Sequence, residues 1–267
     1  MRQISILGCG WLGLPLAKSF IEKGFSVKGS TTSEAKMTLL KNVGIAPFQI
    51  ALFENKIEGD VTAFLENSEI LIIDIPPKLR GNAGENFVRK IQTLIPFIEK
   101  SSLEKVLFVS STAVYQDDNK VVNETTEPHP ETESGKQLLQ AEQLLQTNSH
   151  FQTTVVRFGG LIGEDRHPIH FLSGKKNIEN PIGPINLIHQ DDCIGIIQKI
   201  IETKNWNDTF NAVAPQHPTR KEYYTQKAIA LHLPLPEFDE SNLSVGKTIC
   251  SEKVARILSY EFKKPLD

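Results

Sequence analysis

The sequence predicts an α/β fold: a doubly wound, mostly parallel sheet with a small C-terminal subdomain. Apolar runs of strand length alternate with amphipathic segments of helix length, as in successive βαβ units. Residues 69–75 are nearly all apolar, which is typical of a strand covered on both faces. A glycine-rich turn directly follows the first strand and is placed to open a helix.

The N-terminal part is expected to contain most of the sheet. Its predicted strands are 3–7, 25–28, 47–51, 69–75, 105–110 and 153–158. Its predicted helices are 15–23, a helix capped by Ser33 that runs to Asn42, 86–100 and 135–146. Because strands and helices alternate along the chain, parallel strands with helical crossovers are the expected arrangement.

The sequence becomes richer in proline and glycine after Gly163, and its apolar runs become shorter. Irregular segments of this kind commonly build the substrate side of a doubly wound fold. We therefore predict a domain at 1–163 and a smaller substrate-side subdomain at 164–267 that is interleaved with the core. This second part is expected to contain a strand at 209–213 and helices at 193–202, 219–231 and 251–258, the first of them capped by Asp191 or Asp192.

Composition narrows the classes of partner. The chain has 267 residues, of which 39% are hydrophobic and 23% charged, as expected of a globular protein. The formal net charge is −3 and the basic residues form no stripe, which argues against nucleic acid as a partner. A small anionic ligand remains compatible with this charge.

The cysteines and the N-terminus indicate the compartment. Cys9, Cys193 and Cys250 lie far apart without C-x-x-C spacing, so we expect free thiols in a reducing compartment and no metal site. The apolar run at 4–7 is too short for a signal-peptide core, and no run approaches the ~20 residues of a membrane span. A cytoplasmic protein without membrane contact is expected.

The glycine-rich turn at 8–13 has the spacing G-x-G-x-x-G between a strand and a helix. Gly8 permits the tight turn, Gly10 lets the backbone approach a pyrophosphate, and Gly13 lets the helix pack close to the strand. The helix N-terminus supplies free N–H groups and the positive end of the helix dipole. The motif predicts a Rossmann dinucleotide-binding unit, and so gives the 1–163 domain its role.

The end of the second strand bears on the choice of cofactor. NAD sites usually place an acid about 20 residues after the glycines, and that acid would repel a 2′-phosphate. The stretch 28–33 at the end of this strand contains no carboxylate, and the first acid after it is Glu34. This also disfavours a methyltransferase, another class of enzyme that binds its cofactor at a glycine-rich turn. NADP is therefore slightly favoured over NAD. The candidate cofactor contacts are Gly8, Gly10, Trp11, Leu12, Gly13, Ser30, Thr31, Thr32, Lys36 and Pro76.

Four segments in order resemble the extended short-chain dehydrogenase/reductase family, the NAD-dependent epimerase/dehydratase group. They are SSTAVY at 110–115, VRFGGLIG at 156–163, LIHQDD at 187–192 and FNAV at 210–213. The resemblance covers nearly the whole chain. It implies an NAD(P)-binding oxidoreductase or epimerase/dehydratase-like enzyme with a small polar, nucleotide-linked substrate.

The chain departs from that family at its catalytic pair, Tyr-x-x-x-Lys. Aligning Glu142 with the family's glutamate places Ser134 at the tyrosine position and Leu138 at the lysine position. Leu7 also replaces the first glycine of the family's usual motif. These departures are typical of atypical members, which keep the fold and nucleotide site but often lack the standard active site.

Two side chains are left as catalytic candidates by the resemblance. Ser111 matches the family's catalytic serine, and Tyr115 supplies a phenol nearby. Serine at position 134 cannot serve as the proton donor, because its hydroxyl is far less acidic than a phenol. A non-catalytic dinucleotide-binding sensor or interaction protein is therefore the alternative function. Arg157, flanked by apolar residues, is expected to point to a pocket or a carboxylate.

Overall fold

The structure, a computed structural model, describes residues 2–77, 85–241 and 245–266. The strands are β1 (Gln3–Leu7), β2 (Ser26–Thr31), β3 (Ala46–Gln49), β4 (Ala51–Leu52), β5 (Ile57–Glu58), β6 (Ile70–Ile73), β7 (Lys105–Ser111), β8 (Val121–Val122), β9 (Gln152–Phe158), β10 (Gly160–Ile162), β11 (Leu187–His189), β12 (Thr209–Ala212) and β13 (Thr248–Ile249). The helices are α1 (Gly13–Glu22), α2 (Ala35–Asn42), α3 (Val61–Leu65), α4 (Phe87–Lys100), α5 (Glu133–Gln146), α6 (Ile169–Leu172), α7 (Gln190–Thr203), α8 (Arg220–Ala230) and α9 (Glu252–Leu258), with a 3₁₀ turn at Thr112–Val114.

A parallel sheet organises the described residues. Its seven strands have the order β12-β9-β7-β6-β1-β2-β3. The chain runs outward from β1 to β3, then crosses to β6 and runs outward in the other direction. A crevice forms beyond the carboxyl ends of strands where the order reverses, here between β1 and β6. The predicted doubly wound α/β fold is confirmed.

Helices cover both faces of this sheet. On one face α1, α7 and α9 pack on a cluster that includes Leu16, Phe20 and Ile197. On the other face α3, α4 and α5 pack on a second cluster that includes Phe64 and Ile91. The residues of β6 are all buried between these two layers, which explains why the strand reads as an unbroken apolar run.

The C-terminal part contributes both to the main core and to a separate smaller cluster. Its helix α7 and strand β12 belong to the sheet layers, while α6 and α8 pack around a separate small cluster with Ile169, Tyr223 and Tyr224. This arrangement fits the expected interleaving, and the boundary at residue 163 stays a prediction. In the described part of the chain, no helix combines the length and apolar character needed to cross a membrane.

The predicted Ser33 cap is wrong. Helix α2 begins at Ala35, and its N-cap position is Glu34 without a side-chain capping bond. The Ser33 backbone N–H instead donates to the Thr31 hydroxyl at 3.1 Å. A local turn at the end of β2 therefore takes the place of the expected cap.

The predicted aspartate cap of α7 is also wrong. The helix begins at Gln190, and His189 caps it by accepting a hydrogen bond from the Asp191 N–H at 3.1 Å. Asp192 is buried and accepts bonds from the Tyr260 hydroxyl at 2.8 Å and the Lys263 N–H at 2.8 Å. Its carboxylate thus fastens the C-terminal tail to α7.

Candidate functional site

An open cleft of about 500 Å³ lies at the carboxyl ends of β1, β2, β6 and β7. This is the edge of the sheet where the strand order reverses. Most of the candidate residues lie together in its walls: Gly8, Gly10, Trp11, Leu12, Ser30, Thr31, Thr32, Lys36, Pro76 and Ser111. Gly13 and Tyr115 are not among the wall residues.

Two of the three loop glycines are required by the protein's own packing. Gly8 has φ of +110°, and a Cβ there would lie 2.3 Å from the Asp74 carbonyl oxygen. A Cβ on Gly13 would lie 2.2 Å from the Gly8 carbonyl oxygen. Any side chain at either position would therefore disrupt the junction of β1, β6 and α1.

Gly10 is different. It is exposed, and a Cβ built on it meets no atom within 4 Å. The loop around it is held to β2, because the Gly8 and Cys9 N–H groups donate to the Ser30 hydroxyl and carbonyl at 2.9 and 2.8 Å. Glycine at position 10 thus leaves open space beside a fixed backbone turn at the N-terminus of α1.

The hydroxyl groups at the end of β2 are partly committed. The Ser30 hydroxyl holds the glycine loop, and the Thr31 hydroxyl accepts the Ser33 N–H. Thr32 and Lys36 are exposed in the cleft wall. A ligand group at this end of the cleft therefore meets Thr32 and Lys36 first.

Trp11, one of the candidate cofactor contacts, borders the cleft. Its indole N–H donates to Asp165 at 2.8 Å, and the Arg166 guanidinium lies 4.9 Å from its ring centroid. Gly163 packs against the same ring. Trp11 therefore connects the glycine loop to the segment that opens the C-terminal part.

Charged side chains in the cleft walls are mostly basic. Lys36, Lys90 and Arg166 contribute cations. Lys90 forms an ion pair with Glu85, which lies just before the N-terminus of α4. Positive walls around a helix N-terminus favour an anionic ligand. Lys90 was not among the residues singled out from the sequence.

Asp74 is a second charged wall residue that was not predicted from the sequence. It follows β6 directly, and burial raises the pKa of its carboxyl to about 8, opposed by a hydrogen bond from the Gly13 N–H. An acid at the end of an otherwise apolar strand was the available signal. The position matters because its carboxylate lies within the glycine turn.

The catalytic candidate Ser111 lies in the cleft wall at the end of β7. Its hydroxyl accepts the Ala113 N–H at 3.2 Å and so caps the following 3₁₀ turn. The neighbouring Ser110 also lines the cleft and donates to the buried Glu142 carboxylate at 2.5 Å. Both serines therefore line the cleft, and Ser110 also links it to the buried polar network behind.

Tyr115 belongs to that buried network rather than to the cleft. Its hydroxyl donates toward Asn211 Oδ1 at 3.1 Å and accepts from Arg157 Nη1 at 2.6 Å. Burial raises the pKa of Tyr115, although the neighbouring Arg157 cation opposes the shift. A weaker acid held away from the cleft wall is poorly placed to move a proton there.

Arg157 has the carboxylate partner that its apolar sequence neighbours predicted. Its Nη2 lies 2.6 Å from Glu142 Oε2, and its Nε lies 3.1 Å from both carboxylate oxygens. Both side chains are buried. The pair joins β9 to α5 behind the cleft.

The two positions aligned with the missing Tyr-Lys pair both lie on α5. Leu138 is a wall residue of the cleft, and Ser134 lies one turn earlier and is partly exposed. The helix therefore presents an apolar side chain where the resemblance places a lysine.

Known proteins share this architecture. No family model matches the chain. It is 31% identical over 267 residues to Protein YeeZ of Escherichia coli (strain K12), with 99% of this chain and 97% of that protein covered.

Two solved structures show the same fold. UDP-glucuronic acid 4-epimerase from Bacillus cereus, in complex with NAD, superimposes with a TM-score of 0.81 at 17% identity, covering 99% of this chain and 93% of that one. A short-chain dehydrogenase/reductase superfamily protein from Agrobacterium tumefaciens with bound NAD gives 0.80 at 14% identity, covering 100% and 94%. At these identities the similarity establishes the fold.

Proposed function

This chain belongs to the family of Protein YeeZ and has the fold of extended short-chain dehydrogenase/reductase proteins, and we propose that it is an NAD(P)-binding oxidoreductase or epimerase/dehydratase-like enzyme. Gly10 carries the proposal. It leaves open space beside a rigid turn at a helix N-terminus, inside a cleft with basic walls. A pyrophosphate needs close backbone approach, N–H donors and positive potential, and this place offers all three.

The wall residues suggest how a dinucleotide would lie. The pyrophosphate would face the turn at 8–13, and the adenosine ribose would lie at the end of β2 near Thr32 and Lys36. The nicotinamide would then extend toward Ser111 and Leu138. The bound nucleotide would supply the hydride acceptor or donor, while the chain supplies orientation and an enclosed wall.

A nucleotide-linked small molecule is the proposed substrate class. The Bacillus cereus neighbour is an epimerase of UDP-glucuronic acid, and a Thermotoga maritima neighbour of the same fold is a UDP-glucose 4-epimerase. Lys90 and Arg166 in the cleft walls suit the phosphates of such a substrate. The identity of the sugar is not specified by these contacts.

Calorimetric titration with NAD, NADH, NADP and NADPH tests the proposal. Gly10→Val should lower the affinity at least about tenfold, because its side chain fills space proposed for the ligand, whereas a Cβ at this position has no neighbouring atom within 4 Å. Circular dichroism should show an unchanged fold. Ala230→Val introduces the same side chain at an exposed site on α8 and should bind like the wild type. Equal affinity of the Gly10→Val variant would refute the assigned site.

The preference between cofactors is a separate proposal in favour of NADP. Lys36 is exposed in the cleft wall, and no acid stands at the end of β2 to repel a 2′-phosphate. Exposed ion pairs contribute about 0.2–1 kcal/mol, so Lys36→Gln should weaken NADPH binding only several-fold. NADH binding should not change. Tighter binding of NADH than NADPH by the wild type at low salt would count against the preference.

A non-catalytic dinucleotide-binding protein is the second candidate function. It is favoured by Leu138 in the cleft wall and by Tyr115 outside it. General acid–base catalysis by a group such as the missing Tyr-x-x-x-Lys pair typically accelerates a reaction by ~10²–10⁴-fold. Without it, turnover of UDP-glucose or UDP-glucuronic acid with NAD should stay near background. Proton NMR of the sugar product measures it. Robust turnover that Tyr115→Phe abolishes, with cofactor binding intact, would reject this candidate.

A further inference from the structure

The Asp74 carboxylate lies against the glycine turn on which the proposed pyrophosphate would rest. Its backbone N–H donates to the Leu7 carbonyl at 2.9 Å, which fixes the residue beside the glycine turn. A Cβ on Gly13 would lie 3.0 Å from Asp74 Oδ2, so the carboxylate lies against the first residue of α1. The same residue forms part of the cleft wall.

In the described part of the chain, no lysine, arginine or histidine forms an ion pair with Asp74. The titratable side chains that face it are two thiols, Cys9 of the glycine loop and Cys193 of α7. Burial, and then the charge of Asp74, raises the pKa of Cys9 to about 12. Burial, then the charge of Asp192 and after it that of Asp74, raises the pKa of Cys193 well above its ordinary value, so both thiols stay neutral. The cations elsewhere in the walls are Lys36, Lys90 and Arg166.

We propose that Asp74 couples dinucleotide binding to the uptake of one proton, so that the nucleotide binds to the form of the chain in which Asp74 is protonated. This inference rests on the proposed function. The proton comes from solvent and stays on the Asp74 carboxyl, and no covalent bond to the nucleotide forms. An ionised carboxylate beside the anionic pyrophosphate would repel it, and no described side chain forms an ion pair with Asp74 that would offset this repulsion.

The direction of the pH effect follows from linkage. With a pKa of about 8 in the free chain, Asp74 is protonated below pH 7 and binding there needs no proton uptake. Above pH 8 a proton must be taken up with each nucleotide. The apparent affinity should therefore be constant in weakly acidic buffer and fall as the pH rises through 8. The cleft walls contain no histidine that would titrate in this range.

The test is calorimetric titration with NADH at several pH values. NADH is chosen because it lacks the 2′-phosphate, which would itself titrate near pH ~6. Wild-type affinity should be about tenfold weaker at pH 9 than at pH 7, as one-proton linkage requires. Repeating the titration at pH 9 in two buffers of different ionisation enthalpy should show uptake of close to one proton.

Two variants complete the experiment. Asp74→Asn keeps an acceptor for the Gly13 N–H but carries no proton equilibrium, so its affinity for NADH should be the same at pH 7 and pH 9. Glu22→Gln makes the same charge change at an exposed site on α1 and should retain the wild-type dependence.

Each outcome is decisive. Equal wild-type affinity at both pH values, with heats that do not depend on the buffer, overturns the inference and leaves dinucleotide binding standing. A pH dependence that persists in Asp74→Asn assigns the proton to another group and also overturns it. If neither the wild type nor Asp74→Asn binds any dinucleotide at pH 7, the proposed function fails and the inference fails with it. The buffer comparison on the wild type stands even if Asp74→Asn does not fold.

Discussion

At the scale of single residues, the three glycines of the turn differ in what surrounds them. Gly8 and Gly13 are demanded by contacts within the chain, whereas Gly10 opens onto empty space. Asp74, packed against the same turn, is an ionisable group whose environment disfavours its charge. The glycine turn and Asp74 lie next to each other at the carboxyl ends of β1 and β6.

The raised pKa of Asp74 predicts a pH-dependent cost in stability. Its folded pKa of about 8 exceeds the ordinary 3.8, so the folded chain holds a proton that the unfolded chain releases, and the free energy of unfolding falls as pH rises between these values. The free energy of unfolding of Asp74→Asn, relative to that of the wild type, should be about 2 kcal/mol higher at pH 8 than at pH 6. Urea unfolding at the two pH values measures this. A difference that is independent of pH would contradict it.

The grouping of most candidate cofactor contacts in one cleft was predictable from sequence because it is local, while their role stays a prediction. The residues at 8–13 and 30–36 follow two strands whose carboxyl ends must meet at one edge of a parallel sheet. Asp74 was not found, because its approach to Gly13 depends on how β6 packs beside β1. Tyr115 was placed near the reaction by its proximity to Ser111 in sequence, which says nothing about the direction of its hydroxyl.

At the scale of elements, α5 is the helix that connects the cleft with the buried polar network. It presents Leu138 to the cleft and Glu142 to Arg157 on β9. Glu142 also accepts the Ser110 hydroxyl at the end of β7. One helix thus sets both the character of the cleft wall and the attachment of that wall to the sheet.

Neutralising Glu142 should be strongly destabilising. Glu142→Gln leaves the buried Arg157 cation without its counter-charge, and breaking a buried pair in this way costs about 3–5 kcal/mol. Glu127→Gln makes the same change on an exposed side chain and should stay within about 0.5 kcal/mol of the wild type. Urea unfolding measures both. A midpoint for Glu142→Gln equal to that of the control would show that the pair contributes little.

Long elements were predictable to within a few residues, and short ones were not. The sheet strands and the helices α1, α4, α5 and α8 lie close to the predicted ranges, because burial on a defined face gives them a period. The pairs β4–β5, β8–β13 and β10–β11 were not foreseen, since strands of two or three residues are too short to show one.

At the scale of the whole molecule, the two halves of the sequence share one core. Ile196 and Ile200 of α7 and Phe210 of β12 lie in the same buried cluster as Leu16 and Phe20 of α1. Strand β12 also pairs with β9 along four residues, from Thr209 opposite Val155 to Ala212 opposite Phe158. The parts before and after residue 163 are therefore joined through the sheet itself.

A fragment of residues 1–163 should fail to fold cooperatively. Without α7 and β12 it would expose the apolar face of α1 and leave β9 as an unpaired edge. Thermal unfolding followed by circular dichroism should show no sharp transition for the fragment and one for the full chain. A cooperative transition in the fragment would show that this part is an independent domain.

The central claim is that a dinucleotide binds in the cleft with its pyrophosphate on the glycine turn. A crystal structure of the chain with NADPH or NADH bound tests this most directly. We predict the pyrophosphate beside Gly10 at the N-terminus of α1, and the adenosine ribose beside Thr32 and Lys36. A nucleotide bound elsewhere, or a cleft left empty at saturating nucleotide, would contradict the claim.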